Sequence, residues 1–389
     1  MKTYQKQLAI GLLLLAVLQK VLGQSEGLDD RYRTEDTFRE PDNRPGQAFD
    51  TFEKQTTDLV PKKGATKGGV TIYEVQVKPA VEGLSMMVQP NLGYESNPNH
   101  GQSQHGSMLY GVNETLGYNH ITANRFLIGL NHTFKGFFYN HNQLPDGSST
   151  ASADGVQNKI SLPISWIDLN TNWLLSVNSY GTHTIVNGSP TSQTAGVSPA
   201  VAFKWPVANQ WAASSLSFNY DRFNDLTVQS NPELIDQADE HSFEMDTSFF
   251  TRGILGRGSN LFTSVTLAYA HKWHDSSGAF REYQDNNVSL EFKGYVGDTN
   301  LQYGITYTHD WKGYDATGTA YAGGPNRNDS SDDILVTLTW NLKPVRLTNG
   351  YTPLKASLIL SYDYQTKNSN KATVVYGDHT VFAGLNLKF

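Results

Sequence analysis

One pattern constrains this chain more than any other. From about residue 84 onward, segments of about 10–14 residues alternate apolar and polar side chains one by one. In 354–364, Leu354, Ala356, Leu358, Leu360, Tyr362 and Tyr364 alternate with Lys355, Ser357, Ser361 and Asp363. In 301–311, Leu301, Tyr303, Ile305, Tyr307 and Trp311 alternate with Gln302, Thr306, Thr308 and Asp310. In 288–296, Val288, Leu290, Phe292 and Val296 are set against Ser289, Glu291 and Lys293. Successive side chains of a strand point to opposite faces. Each segment therefore carries one face suited to lipid and one suited to water.

The connections alternate as well. Short turns are expected near 119–122, 168–171, 206–209, 253–258, 297–299 and 343–353. Long polar loops are expected near 98–106, 142–155, 187–196, 224–240, 274–283, 313–331 and 366–372. Short turns at one end and long loops at the other are the habit of membrane barrels. A soluble sandwich has no reason to sort its loops this way. Mean hydropathy is -0.45, and the chain holds one long apolar run. A helical membrane protein would need stretches of about 20 apolar residues, so helical spanning is excluded for the mature chain. The reading is all-β: a transmembrane antiparallel up-and-down β-barrel over 84–389, with about 14 strands in a range of about 12–18.

The N-terminal residues read as an address. Lys2 and Lys6 precede the apolar run 8–18, LAIGLLLLAVL, and Val21, Leu22 and Gly23 follow. We expect a signal peptide over 1–23, cleaved before Gln24. The stretch 24–68 is charged and aperiodic, which suits a flexible periplasmic segment. Residues 69–83 suit an extra strand, a lumen plug or a lead-in. Net charge is -7, which argues against nucleic acid as a partner, and the chain has no cysteine.

Tryptophan placement supports a membrane. Trp166 and Trp173, then Trp205 and Trp211, flank two short turns, and Trp340 precedes a third; Trp273 and Trp311 lie beside long loops. All seven are expected in aromatic girdles at the lipid headgroups. The last strand alternates Val381, Ala383, Leu385 and Leu387 and ends on Phe389. It resembles the C-terminal signal read by the bacterial barrel-assembly machinery. Two features fit poorly. Glu114 shares parity with Tyr110, Val112, Leu116 and Tyr118, so a bulge is expected to re-aim it. The 124–141 hairpin arm is long and is expected to project beyond the outer surface.

By parity the lumen-lining candidates are Arg125, Lys159, Lys204, Asp221, Glu244, Asp246, Lys272, Glu291, Lys293, Tyr295, Asp310, Lys355 and Asp363, with Lys135 and Arg252 added. Basic groups slightly outnumber acidic ones in this set, a hint of anionic solutes. Tyr180, Phe223, Phe250 and Phe262 are also expected to point inward, where aromatic faces beside polar groups suit sugar rings. No catalytic residue, metal ligand or cofactor motif is assigned. His100 and His105 read as solvated loop residues, and the Asp329, Asp332 and Asp333 cluster lacks the spacing of a calcium loop.

The stretch 88–98, VQPNLGYESNP, resembles the opening strand of several Gram-negative porin families. It is also similar to the start of barrels that partner polysaccharide-export lipoproteins. The resemblance implies an outer-membrane conduit with saccharide as a plausible cargo, and it transfers no catalytic or binding residue. The expected function is a porin-like channel for small hydrophilic solutes, set in outer-membrane lipid and lipopolysaccharide. An exopolysaccharide-export barrel with periplasmic partners, and a non-conducting structural or adhesion barrel, are the alternatives.

Overall fold

The computed structural model describes residues 57–67, 70–77, 81–96, 106–122, 125–140, 154–168, 171–186, 189–205, 210–224, 237–252, 262–276, 283–297, 299–314, 328–342, 355–370 and 375–388. Residues 1–23, where a signal peptide is expected, most of the 24–68 segment and Phe389 lie outside them.

Sixteen strands are described. The first two, β1 (Thr57–Lys67) and β2 (Val70–Val77), pair with each other in a separate two-stranded sheet. The end of the 24–68 segment is thus a strand rather than unpaired chain. Val70, Ile72, Tyr73, Val75 and Val77 are β-branched or aromatic residues that favour extended backbone, and Lys67 stands opposite Val70. Neither strand joins the barrel.

The barrel consists of β3 (Val81–Glu95), β4 (Ser107–Ile121), β5 (Phe126–Tyr139), β6 (Gly155–Asp168), β7 (Trp173–Val186), β8 (Ser189–Trp205), β9 (Gln210–Asn224), β10 (Gln237–Arg252), β11 (Ser264–Ser276), β12 (Tyr283–Tyr295), β13 (Leu301–Tyr314), β14 (Asn328–Asn341), β15 (Lys355–Ser369) and β16 (Tyr376–Lys388). Each pairs antiparallel with its sequence neighbours, and β16 pairs antiparallel with β3 to close the ring of 14. An even strand number is what lets the first and last strands of a meander meet antiparallel. Closure leaves no sheet edge, which a barrel in lipid requires.

The two faces are chemically distinct. Outward residues include Leu92, Leu130, Ile160, Leu175, Leu267, Leu358 and Leu360, each between 43 and 57 % exposed. Inward positions on the same strands carry Asn91, Ser161, Thr266, Ser361 and Asp363, all buried. At the closing seam the Phe382 ring packs closely against Gly93. A Cβ there would stand 2.5 Å from Phe382 Cδ1 and 2.5 Å from the Val381 carbonyl. Leu109, Phe137 and Tyr139 complete this inward apolar cluster near the long-loop end.

Three sequence expectations are corrected here. The connection expected as a long loop over 187–196 is short, because β7 runs to Val186 and β8 starts at Ser189. The segment TSQTAG is polar on both faces, so it shows no hydropathy alternation, yet its Thr and Ala pair readily with Thr182 and Gly181. The arm expected to project over 124–141 is β5, no longer than its neighbours. No bulge re-aims Glu114, since it pairs in unbroken register with Val88 and Phe134. It keeps its outward parity and is instead shielded, in a patch where Met86 and Phe134 are also buried.

Replacing Gly93 by Ala forces Phe382 off the closing seam. We expect a loss of about 1–3 kcal/mol in unfolding free energy, measured by urea titration of the folded barrel. Gly83→Ala, where a Cβ meets nothing within 4 Å, is the matched control and should stay within about 0.5 kcal/mol of the parent.

Candidate functional site in the lumen wall

Inward charges are organised by strand register rather than scattered. Glu244 on β10 stands directly opposite Lys272 on β11, Lys272 opposite Asp285 on β12, Asp285 opposite Lys312 on β13, and Lys312 opposite Asp329 on β14. Lys367 on β15 extends the row, its Nζ 3.6 Å from Asp329 Oδ2. The row thus alternates in sign across six adjacent strands. Opposite charges directly across an antiparallel pair contribute roughly 0.2–1 kcal/mol each. Asp285, Lys312, Asp329 and Lys367 are all buried, which raises the cost of leaving any one uncompensated.

Tyr283 anchors the centre of this row. Lys312 Nζ lies 4.4 Å from its ring centroid and Lys272 Nζ 5.7 Å. His274 stacks on the same tyrosine at 4.4 Å and 13°. The ring quadrupole holds the two ammonium groups that the carboxylates neutralise. Below the row, toward the short-turn end, Lys293 Nζ pairs with Glu291 Oε1 at 2.9 Å, and Thr266 donates to Glu291 at 3.2 Å.

A second station lies on β6 to β9. Lys159 Nζ sits 5.2 Å over the Tyr180 ring. The Tyr180 hydroxyl donates to Asn219 Oδ1, and Thr194 donates to Asp221. Gly196 is required beneath the tyrosine, since a Cβ would come 2.5 Å from Tyr180 Cζ. A third group is acidic. Asp363 shares a hydrogen bond with Asp333 and lies in the field of Asp378 and Glu95. Tyr139 donates to Glu95, and Ser96 to Asp378 at 2.8 Å.

At the short-turn end the wall turns apolar. Ile121, Leu127, Ile167, Leu174, Ala202, Trp211 and Ala213 form one buried cluster on the inward faces of β4 to β9, and Phe250 packs on it from β10. Trp211 and Phe250 stack at 5.0 Å and 16°. The lumen therefore has a charged upper wall and an apolar shelf below.

Several assignments made from the sequence change. Trp211 faces inward at 3 % exposure instead of joining a girdle. Its strand begins at Gln210, and inward parity follows from its pairing with Lys204 and Phe250. Trp173, Trp205, Trp273, Trp311 and Trp340 are outward and exposed, and Trp166 is outward and half-buried. Arg125 lies in the turn before β5 with φ 65°, outside the strand wall. Phe262 packs against outward Phe292 and Tyr303 at 5.8 and 6.5 Å, so it does not enter the lumen. Asp329, Asp332 and Asp333, expected in a loop, are on β14.

Lys159, Lys204, Asp221, Glu244, Asp246, Lys272, Glu291, Lys293, Tyr295, Asp310, Lys355 and Asp363 occupy inward positions of their strands. Asp310 accepts from Asn287 and Ser331 at 3.5 and 3.3 Å. The side chains of Phe223 and Arg252 lie outside the described ones, as do His100 and His105. Sequence reading missed Glu95, Asp285, Lys312, Asp329, Asp333, Lys367, Asp378 and Lys388 on the inward face. Most lie in the final turns of strands, where polar sequence reads as loop. Extending each parity by three or four residues would have found them. With them included, the expected excess of base over acid disappears.

No family model matches the chain, and no curated protein matches it. Solved structures with a similar trace include OmpTdeltaL8, a loop-deletion mutant of the Vibrio cholerae outer membrane protein OmpT. It has 8 % identity and a TM-score of 0.42, over 80 % of this chain and 100 % of that one. The Pseudomonas aeruginosa outer membrane protein opdK gives 12 % and 0.35, over 79 % and 99 %. A bacterial polysaccharide outer membrane secretin gives 7 % and 0.37, over 78 % and 97 %.

Lys312 sits between two buried carboxylates. Lys312→Met should lower unfolding free energy by about 1–3 kcal/mol, and adding Asp329→Asn should recover part of it. A double-mutant cycle by urea unfolding should return a coupling above about 0.5 kcal/mol.

Proposed function

We propose that this chain is an outer-membrane channel of a Gram-negative bacterium, passing small hydrophilic solutes, oligosaccharides among them, through its lumen. The observation that carries the reading is the segregation of chemistry across a closed 14-strand wall, with leucine and isoleucine outside and a register-matched row of charges inside. An outward apolar band fits lipid hydrocarbon, and a polar inward face fits water. Because the row alternates in sign, its field cancels along the wall. Such a wall favours neutral or zwitterionic polar solutes over strongly charged ones.

In this reading the six outward tryptophans seat the barrel at the headgroups on both sides. The signal peptide delivers the chain across the inner membrane, and the terminal strand ending on Phe389 engages the barrel-assembly machinery. Lipid and lipopolysaccharide surround the wall. A second reading is supported by the β1–β2 hairpin, which a simple pore does not need. It assigns the barrel to exopolysaccharide or capsule export, with periplasmic partners meeting the N-terminal region.

Single-channel recording of the folded mature chain in a planar bilayer tests the primary reading. We expect steady conductance with weak ion selectivity, interrupted by added oligosaccharides. Replacing Lys272 and Lys312 by Glu should shift selectivity toward cations. A folded barrel that stays silent would overturn the open-channel reading in favour of a plugged export conduit or a structural barrel.

A further inference from the structure

The outward face carries a feature that conduction does not use. Two strands repeat one pattern, Tyr269-x-His271-x-Trp273 on β11 and Tyr307-x-His309-x-Trp311 on β13. In each, alternate residues place all three side chains outward. His271 lies five residues before Ser276, the end of β11, and His309 five before Tyr314, the end of β13. Both therefore stand the same number of residues from the long-loop end of their strand.

The neighbouring strand completes each pattern in the same way. On β12, Asn286 Oδ1 lies 2.9 Å from the Tyr269 hydroxyl and 2.7 Å from His271 Nδ1. On β14, Asp332 Oδ1 lies 2.7 Å from the Tyr307 hydroxyl and 2.7 Å from His309 Nδ1. An amide or carboxylate oxygen only accepts, so Nδ1 carries the hydrogen in both rings. Each ring meets its tryptophan edge-on, at 3.9 Å and 77° for His271 and 4.1 Å and 70° for His309. Asn286 stands directly opposite Trp311, so the two stations adjoin across β11 to β14.

We infer that these twin stations bind the phosphate groups of outer-leaflet lipid headgroups, and that binding takes up a proton at Nε2. Three observations favour that occupant. Polar groups this far out on a lipid-facing wall belong at headgroup depth, because nearer the midplane they would be costly. Immediately beneath them the same face is apolar, with Leu267, Ile305 and Ile334 exposed. Every lysine of the barrel strands lies on the inward face, and Arg222 is the outward arginine among the described strand side chains. Among the described outward side chains of β11 to β14, the groups that can carry a positive charge are therefore imidazoles.

The proton linkage follows from the fixed tautomer. With Nδ1–H committed to Asn286 or Asp332, a neutral ring offers only a lone pair at Nε2. Protonation converts Nε2 to a donor that a phosphate oxygen can accept. Around His309 the facing groups are Asp332 on β14, Val288 on β12, and Tyr307 and Trp311 on its own strand. Around His271 they are Asn286 on β12, Met245 on β10, and Tyr269 and Trp273. The inference rests on the wall being bathed in lipid, and it is independent of conduction.

The test uses the full folded chain in neutral detergent, offered equal amounts of bis-phosphorylated lipid A and lipid A stripped of both phosphates. Bound lipid is read by native mass spectrometry. At about pH 6 the wild type should prefer the phosphorylated lipid by about fivefold, and at about pH 8.5 the preference should approach parity. The double variant His271→Gln, His309→Gln, checked for folding by its heat-shifted band, should show parity at both values. A preference that ignores pH in the wild type, or survives in the double variant, would overturn the proposal. So would equal retention of both lipids at pH 6. Retention of neither would overturn it together with the membrane placement, whereas a silent channel would leave it standing.

Discussion

The backbone ladder between β16 and β3 is the constraint on which everything else depends. Fourteen strands in sequential pairing leave two free edges, and in hydrocarbon each unpaired amide would cost several kcal/mol. Register from Thr380 opposite Glu95 to Lys388 opposite Met87 removes those edges. Once the ring is shut, side-chain parity acquires a fixed meaning, one set facing out and the other in. Gly93 and Phe382 show how the sequence serves the seam, with the missing Cβ making room for the ring at the join.

Closure also explains the electrostatics. Asp285, Lys312, Asp329 and Lys367 are buried within the inward side-chain layer, so register must bring partners to them. The Glu244, Lys272, Asp285, Lys312 and Asp329 row achieves this with one residue per strand, and Tyr283 supports the two lysines at its centre. The same strands send His271 and His309 outward, each held by an acceptor on the next strand. Strand alternation thus places a row of charges on the inward face and a pair of His stations on the outward face of the same strands.

The fold was legible because period two survives any local error. Leu358, Leu360 and Tyr362 against Ser361 and Asp363 read the same way in sequence and in space. Strand ends were harder. Near the outer rim both faces are polar, so Asp329 and Lys367 looked like loop and the β7–β8 hairpin looked shorter than it is. Trp211 shows a second limit, since a tryptophan beside a turn satisfies either a girdle or an inward shelf, and only pairing with Phe250 decides. The twin His stations were invisible for a different reason. Their acceptors come from neighbouring strands, and hydrogen bonding between strands is not written in any one segment.

The central claim is that this wall separates lipid from an aqueous lumen, residue by residue. The chain has no cysteine, so single cysteines can be placed at adjacent positions without background. The most direct measurement is labelling by a water-soluble, membrane-impermeant maleimide of the barrel in lipid vesicles, with cysteine at Lys159, Ile160, Leu267 or Ala268. Ile160 and Leu267 are outward at 57 and 49 % exposure, while Lys159 and Ala268 face inward. The account predicts rapid labelling at 159 and 268 and protection at 160 and 267. Equal labelling within each adjacent pair, or the reverse order, would contradict it.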